Sequence, residues 1–332
     1  MGERVVAVTG ATGFVGRHMV RTLLDRGHRV RGLVRDADKA AAVLPRHDGL
    51  EWVESGEGLT EDAAGRLVEG CDTAVHLIGI IREAAGGQTF KRMHTEATRT
   101  IVRACEHGGV GRYLHMSALG VRDDGVSAYQ KTKFESEQIV RFSHLDWTIF
   151  RPGLIHGRDS AVFEMMKTWC EGRDAPWLFL PYFLRTEVVV PGVTNDRESP
   201  LPLTIEAPEV APVHIDDVCD AFCSAMEHRE AVGEMYPLAG PEVLTWPEML
   251  RRVRDALPQA KPSLRPVGLP APIAAVKAWT LKRLGMGDLL PFDTGMALMA
   301  AEDSVAPSVK ARAQLGYEPR EFTESMKAYA GT

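Results

Sequence analysis

The sequence predicts an α/β protein, a doubly wound parallel sheet followed by a smaller C-terminal substrate domain, on three observations. Apolar strand-like segments alternate with amphipathic helix-like ones from residue 5 to residue 152. The first strand, Val5 to Val8, runs directly into TGATGFVG, residues 9–16, whose glycines Gly10, Gly13 and Gly16 recur at every third position. Beyond Asp159 the alternation stops and prolines become frequent. Together these mark a Rossmann-type architecture. Residues 1–158 form the dinucleotide-binding domain, 211–240 return to it, and 159–332 make a smaller mixed substrate-binding region.

Taken in order, each segment has its own reason. After Gly16, the positions Val15, Met19, Val20, Leu23 and Leu24 have helical spacing. A strand that turns sharply into a helix presents backbone N–H groups to an anion. One glycine permits the turn, the next lets a pyrophosphate approach, and the third lets helix and strand pack closely. Thr9, Gly10, Thr12, Gly13, Phe14, Val15 and Gly16 are therefore cofactor-binding candidates. HRVRGLVR (strand), DADKAAAVL (helix), LEWVES (strand), LTEDAAGRLVEG (helix) and DTAVHLIGI (strand) follow. A long helix then covers 89–109, with a strand at 112–119, a helix at 127–143 and a strand at 146–152. In the second half, 186–207 reads as short strands around an Asn-Asp turn, 213–228 as a helix and 234–240 as a strand returning to the sheet. The tail supplies helices at 246–257, 273–285 and 322–330.

The net charge of −6 and the lack of a basic run argue against a nucleic-acid partner. Five cysteines without a CxxC pair read as buried free thiols, which implies a reducing compartment. The first residues already form the nucleotide-site strand, so a cytoplasmic protein is expected. The segment 175–184, APWLFLPYFL, is too short to span a bilayer. It reads first as core of the smaller domain. The alternatives are an apolar substrate pocket, which makes Trp177 and Phe179 substrate-binding candidates, or a contact with a membrane or partner. No membrane contact is otherwise indicated. His214, Asp216 and Asp217 suggest a helix start rather than a metal site.

The second chemical constellation is YQKTK, where Tyr129 and Lys133 lie four apart on one helix face. A phenol is a poor acid or base near neutrality, and a neighbouring ammonium lowers its pKa. Ser117 ends the preceding strand at the edge where such sheets bind ligands, and there it can hold a substrate carbonyl for hydride transfer.

These residues resemble the short-chain dehydrogenases/reductases, in their extended or atypical branch, the NAD-dependent epimerase/dehydratase family. The resemblance rests on TGATGFVG, AVHLIG, the set Ser117, Tyr129 and Lys133, IFRPGLIHG and APVHIDDV, in that order over residues 5–240. HMSALG, TIFRPGLIHG and LAGPEVLTWPEML further resemble bacterial relatives of the complex I nucleotide-binding accessory subunit. The likeness implies that Ser117 orients substrate, Tyr129 moves the proton, and Lys133 lowers the tyrosine pKa and holds the nicotinamide ribose. It also implies that Leu77, Gly79, Pro152 and Ile155 border the cofactor. His94 stands where many extended members have asparagine, and Glu57 where relatives often have aspartate beside the adenine. The short interval from Ser117 to Tyr129 weakens a sugar-nucleotide epimerase reading.

At the end of the second strand, Val34 occupies the position of an NAD-selective carboxylate and Arg35 follows it. An arginine there fits a 2′-phosphate, so NADP(H) is preferred; the counter-reading has Asp36 swing in and select NAD. The activity expected is an NAD(P)(H)-dependent oxidoreductase acting on a small-molecule carbonyl or hydroxyl, with an apolar quinone- or isoprenoid-like substrate favoured. A sugar-nucleotide epimerase or dehydratase is the first alternative. The second is a non-catalytic nucleotide-binding subunit or assembly factor of a respiratory complex. A monomer or homodimer is expected.

Overall fold

The computed structural model describes residues 2–56, 58–84, 86–188, 203–286, 290 and 292–331. Strand β1 (Val5–Thr9) leads into α1 (Phe14–Asp25), β2 (Arg29–Val34) into α2 (Ala37–Val43), and β3 (Leu50–Glu54) into α3 (Glu61–Val68). Then β4 (Thr73–His76) precedes α4 (Ala97–Gly108), β5 (Arg112–Met116) precedes α5 (Ala128–Arg141), and β6 spans Asp146–Pro152. Short β7 (Ile155–His156) and α6 (Ala161–Glu171) open the second half, followed by β8 (Leu180–Val188), β9 (Leu203–Glu206), β10 (Glu209–Val210) and β11 (Val213–His214). Next come α7 (Ile215–Glu227), β12 (Glu234–Leu238), β13 (Leu244–Thr245), α8 (Trp246–Ala256) and β14 (Pro266–Pro270). Helices α9 (Ala271–Arg283), α10 (Thr294–Met299), α11 (Val309–Leu315) and α12 (Phe322–Ala330) complete the described chain.

Seven strands form one parallel sheet in the order β12-β6-β5-β4-β1-β2-β3. The chain reverses its direction of growth between β1 and β4, and such a switch point opens a crevice at the C-terminal ends of the strands. Alternation along β1 explains how both faces are covered. Val6 and Val8 point to a cluster with Met19 and Leu23 of α1 and Val218 and Phe222 of α7. Ala7 faces the opposite cluster, with Leu67 of α3 and Ile101 of α4. A separate core gathers Phe163, Leu180, Leu250 and Met326 from α6, β8, α8 and α12. Beside it lies a small sheet ordered β14-β8-β9.

Several segments differ from the sequence reading. The strand expected over 72–80 stops at His76, and residues beyond it turn into the crevice loop. The long helix expected from 89 begins as a π-helical turn, Lys91–Glu96, before it tightens into α4. In the segment 186–207, β8 and β9 pair antiparallel, while the Asn195-Asp196 turn lies outside the described residues. All five cysteines are buried and free.

Arg112, at the start of β5, is a buried cation that ties three elements together. Its guanidinium donates to Asp146 O at 2.6 Å, Thr148 Oγ1 at 2.5 Å and Ala225 O at 2.8 Å, joining β5, β6 and α7. Replacing it by methionine removes the donor to two carbonyls and to the Thr148 hydroxyl, which keeps its own bond to Ala231 O. Arg112→Met is expected to lower the stability to urea by about 3 kcal/mol, whereas a loss under about 0.5 kcal/mol would show that water replaces the guanidinium.

Candidate active site

The glycine turn has the geometry its spacing requires. Gly10 adopts φ of +68°, and the Gly13 N–H donates to Gly10 O at 3.0 Å. A methyl on Gly16 would lie 2.0 Å from that same oxygen, so α1 leans directly on the turn. A methyl on Gly10 would stand 3.2 Å from the Leu77 backbone, which places the end of β4 against the motif. Helix α1 starts at Gly13 with no side-chain cap and no acid in its first turn. Its positive end is therefore open to an anion. Thr9 secures the floor: its hydroxyl accepts from the Leu77 N–H at 3.1 Å and lies 2.8 Å from His76 Nδ1. Thr12 and Val15 are half-buried on the same turn, and the Phe14 ring would meet a methyl on Gly157 at 3.3 Å.

At the end of β2, Val34 is buried and Arg35 is exposed. Asp36 is already employed: its carboxylate caps α2 by accepting from the Lys39 N–H at 2.9 Å, and it pairs with Lys39 Nζ at 3.2 Å. Glu57 lies outside the described residues. Pro152 ends β6 and its carbonyl accepts from the Leu119 N–H, while Ile155 pairs in β7 with Val213 of β11.

A capping box of Ser127 and Gln130 starts α5, which sets Tyr129 in the first turn and Lys133 one turn later. The Lys133 ammonium donates to Met116 O at 2.9 Å, and a methyl on Gly79 would stand 3.1 Å from it. Burial pulls Lys133 down to about 8, opposed by the charge of Glu137. The Tyr129 ring meets His94 and Phe90 edge-on, at 5.3 and 5.9 Å between centroids. Burial pushes its phenol up to about 12. The Lys133 ammonium is turned to the Met116 carbonyl.

Ser117 is buried at the end of β5, and its hydroxyl donates to Glu137 Oε1 at 2.5 Å. Glu137 is wholly buried and held in a two-pronged pair by Arg151, at 2.7 and 2.6 Å. Holding a substrate carbonyl takes the proton that Ser117 here gives to Glu137. His94 sits in the π turn, a local widening that often accompanies function. His94 Nδ1 lies 2.9 Å from Thr132 Oγ1, and its Nε2 lies 3.2 Å from the Ile80 amide nitrogen and 3.1 Å from the Ile80 carbonyl oxygen. Burial and the charge of Lys133 hold His94 down to about 3. It positions the Ile80 loop as a neutral ring.

Other candidates fall elsewhere. Trp177 is exposed in the loop before β8 and Phe179 is half-buried there; among the described residues no ring contact joins either to Tyr129. Asp216 and Asp217 are engaged by Arg320, and His214 caps α7. Sequence reasoning missed Glu137 and Arg151, although Glu137 lies one turn beyond Lys133 on the same face. It also missed Glu302, which accepts from Gln130 Nε2 at 2.7 Å and from Arg122, closing the loop before Tyr129 from the C-terminal region.

A family model described as NAD(P)H-binding matches residues 10–168. The chain is 30% identical over 287 residues to a protein of Caulobacter vibrioides named ceramide reductase, covering 83% of this chain and 78% of that one. It is 26% identical to NADH dehydrogenase [ubiquinone] 1 alpha subcomplex subunit 9 of Arabidopsis thaliana, over 87% of this chain and 65% of the relative. Among solved structures, UDP-glucuronic acid 4-epimerase from Bacillus cereus, in complex with UDP-glucuronic acid and NAD, superposes with a TM-score of 0.67 at 18% identity, covering 98% of each chain.

The Gly16 contact supplies a direct check on the turn. Gly16→Ala must push α1 away from Gly10 O, at a cost of about 2 kcal/mol, and is expected to abolish dinucleotide binding in a fluorescence titration. Unchanged affinity would show that the turn does not hold the pyrophosphate.

Proposed function

The chain belongs to the extended branch of the short-chain dehydrogenase/reductase family, and from that premise we propose that it reduces the carbonyl of an apolar, lipid-like substrate, with NADPH preferred over NADH. The carrying observation is the placement of the Tyr129 phenol in the first turn of α5, with Lys133 one turn on and bonded to the Met116 carbonyl at the end of β5. A protonated phenol beside a crevice is suited to giving a proton to an oxygen that gains negative charge. When bound, the reduced nicotinamide supplies hydride to the carbonyl carbon. Tyr129 then delivers its proton to the carbonyl oxygen, so that the product is the alcohol. Lys133, one turn along the same helix face and buried, is the cation on the side of the phenolate left behind. Ser117 steadies α5 on β5 through Glu137, and in this arrangement the substrate oxygen relies on the phenol.

The cofactor preference follows from the end of β2. Arg35 is exposed just beyond the buried Val34, where a forked guanidinium suits a 2′-phosphate. Asp36 is occupied as the cap of α2 and is poorly placed to receive ribose hydroxyls. The apolar substrate is supported by the relative named for ceramide reduction and by the short interval between Ser117 and Tyr129.

Two outcomes test this reading. Tyr129→Phe is expected to cut NADPH-dependent reduction of long-chain ketones by about a thousandfold while dinucleotide affinity stays unchanged; equal activity would remove the phenol from the mechanism. Arg35→Ala is expected to weaken NADPH by about tenfold and leave NADH unaffected in the same titration. Equal losses for both would place the 2′-phosphate elsewhere.

A further inference from the structure

Helix α9 distributes its side chains in reverse of a helix packed only on its own protein. Its buried residues are small: Ala271, Ala274, Ala275 and Ala278. Its large apolar residues face out, with Ile273 and Val276 exposed by 68% and 64% and Trp279 by 52%. Leu284, just past the helix end, is 66% exposed, and Met286 follows it. At about 100° per residue, positions 273, 276, 279 and 284 share one arc of the surface. A contiguous outward apolar arc of this kind marks a surface that another phase or molecule covers.

The charges on the same stretch say what covers it. From 271 to 286 the sequence carries Lys277, Lys282 and Arg283 and no acid, in a chain whose net charge is −6. All three cations are exposed, and the Arg283 guanidinium lies 4.7 Å over the Trp279 ring, on the apolar arc itself. Apolar bulk, a tryptophan and flanking cations are the make-up of a helix that lies in the headgroup region of an anionic bilayer. A second copy docked on this arc would set cations against cations.

The position of α9 gives docking a purpose. Ala297 of α10 packs against Ala274 and Ala275, and a methyl on Gly295 of α10 would lie 3.2 Å from Ser127 Cβ, two residues before Tyr129. Arg82, in the crevice loop, donates to Leu290 O at 3.3 Å. The outward helix is thus joined through α10 to the mouth of the candidate active site.

We propose that α9 seats the protein on an anionic membrane surface, bringing the mouth beside Tyr129 within reach of lipid. The docking stands on α9 alone; its benefit to turnover rests on the apolar-substrate reading. Flotation of the full chain with vesicles of phosphatidylcholine, alone or mixed with phosphatidylglycerol, tests it. The wild type is expected to float with the mixed vesicles and to be released by salt. Ile273→Ser with Trp279→Ser should lower partitioning by at least about tenfold, and Lys277→Glu, Lys282→Glu and Arg283→Glu together by about a hundredfold. Lysine-to-arginine exchanges at 277 and 282 should retain it. Unchanged NADPH binding verifies that each variant is folded. The proposal is overturned if the wild type floats with neither vesicle, or if the charge reversal leaves partitioning unchanged. It is equally overturned if the wild type sediments as a dimer that Ile273→Ser with Trp279→Ser makes monomeric, since a second copy then covers the arc. Vesicle binding without turnover of any bilayer-embedded ketone supports the surface and overturns the substrate reading alone.

Discussion

Two opposite charges buried one helical turn apart, Lys133 and Glu137, fix where α5 sits. Neither can be left unmet in the interior without a cost of several kcal/mol, so the helix has one register that satisfies both. In it Lys133 reaches the Met116 carbonyl at the end of β5 and Glu137 reaches Arg151 on β6. That register places Tyr129 at the C-terminal edge of the sheet. It also brings the ammonium to 3.1 Å from where a methyl on Gly79 would stand. The location of the phenol is therefore a consequence of buried electrostatics as much as of the helix on which it rides.

The two halves of the site are built by different means. The dinucleotide side is made of backbone: the φ of Gly10, the open start of α1, and the closeness that Gly16 permits. Such a surface suits any ligand with a pyrophosphate. The proposed substrate side, around the loop before Tyr129, is made of side chains drawn from distant parts of the chain. Gln130 and Arg122 border the loop, Glu302 holds them from the C-terminal region, and α10 lies against Ser127. This division lets one cofactor frame serve unrelated substrates, as the likeness of fold to a sugar-nucleotide epimerase illustrates.

The dinucleotide half was legible because its determinants are local. Three glycines after an apolar run, and β-branched residues bounded by turns, state their structure without reference to distant residues. The strands β1 to β6 and helices α1 to α5 follow that pattern. The π turn at Lys91–Glu96 was not legible, since its apolar spacing is compatible with an ordinary α-helix and the widening follows from what His94 meets at Ile80 and Thr132. Nothing in the sequence sets Glu137 apart from the other charges of its helix; only the fold brings Arg151 opposite it. The partner of Lys133 was hidden for a related reason. Spacing put Lys133 on the right face, but the direction of its ammonium depends on a carbonyl supplied by another strand.

Strand β12, at the edge of the main sheet, pairs with β6 although roughly eighty residues separate them along the chain. During synthesis the first six strands leave the ribosome before it, so the nascent sheet carries β6 as a bare edge, ready to pair with any extended chain. The same order of appearance means that the nucleotide cradle is complete well before Glu302 arrives to close the mouth. A chain interrupted between these two events would grip its cofactor while exposing both an unpaired strand and an unfinished cleft. Quality control in the cell would meet that species as a ligand-stabilised, adhesive intermediate, and its lifetime is set by how quickly the last hundred residues follow.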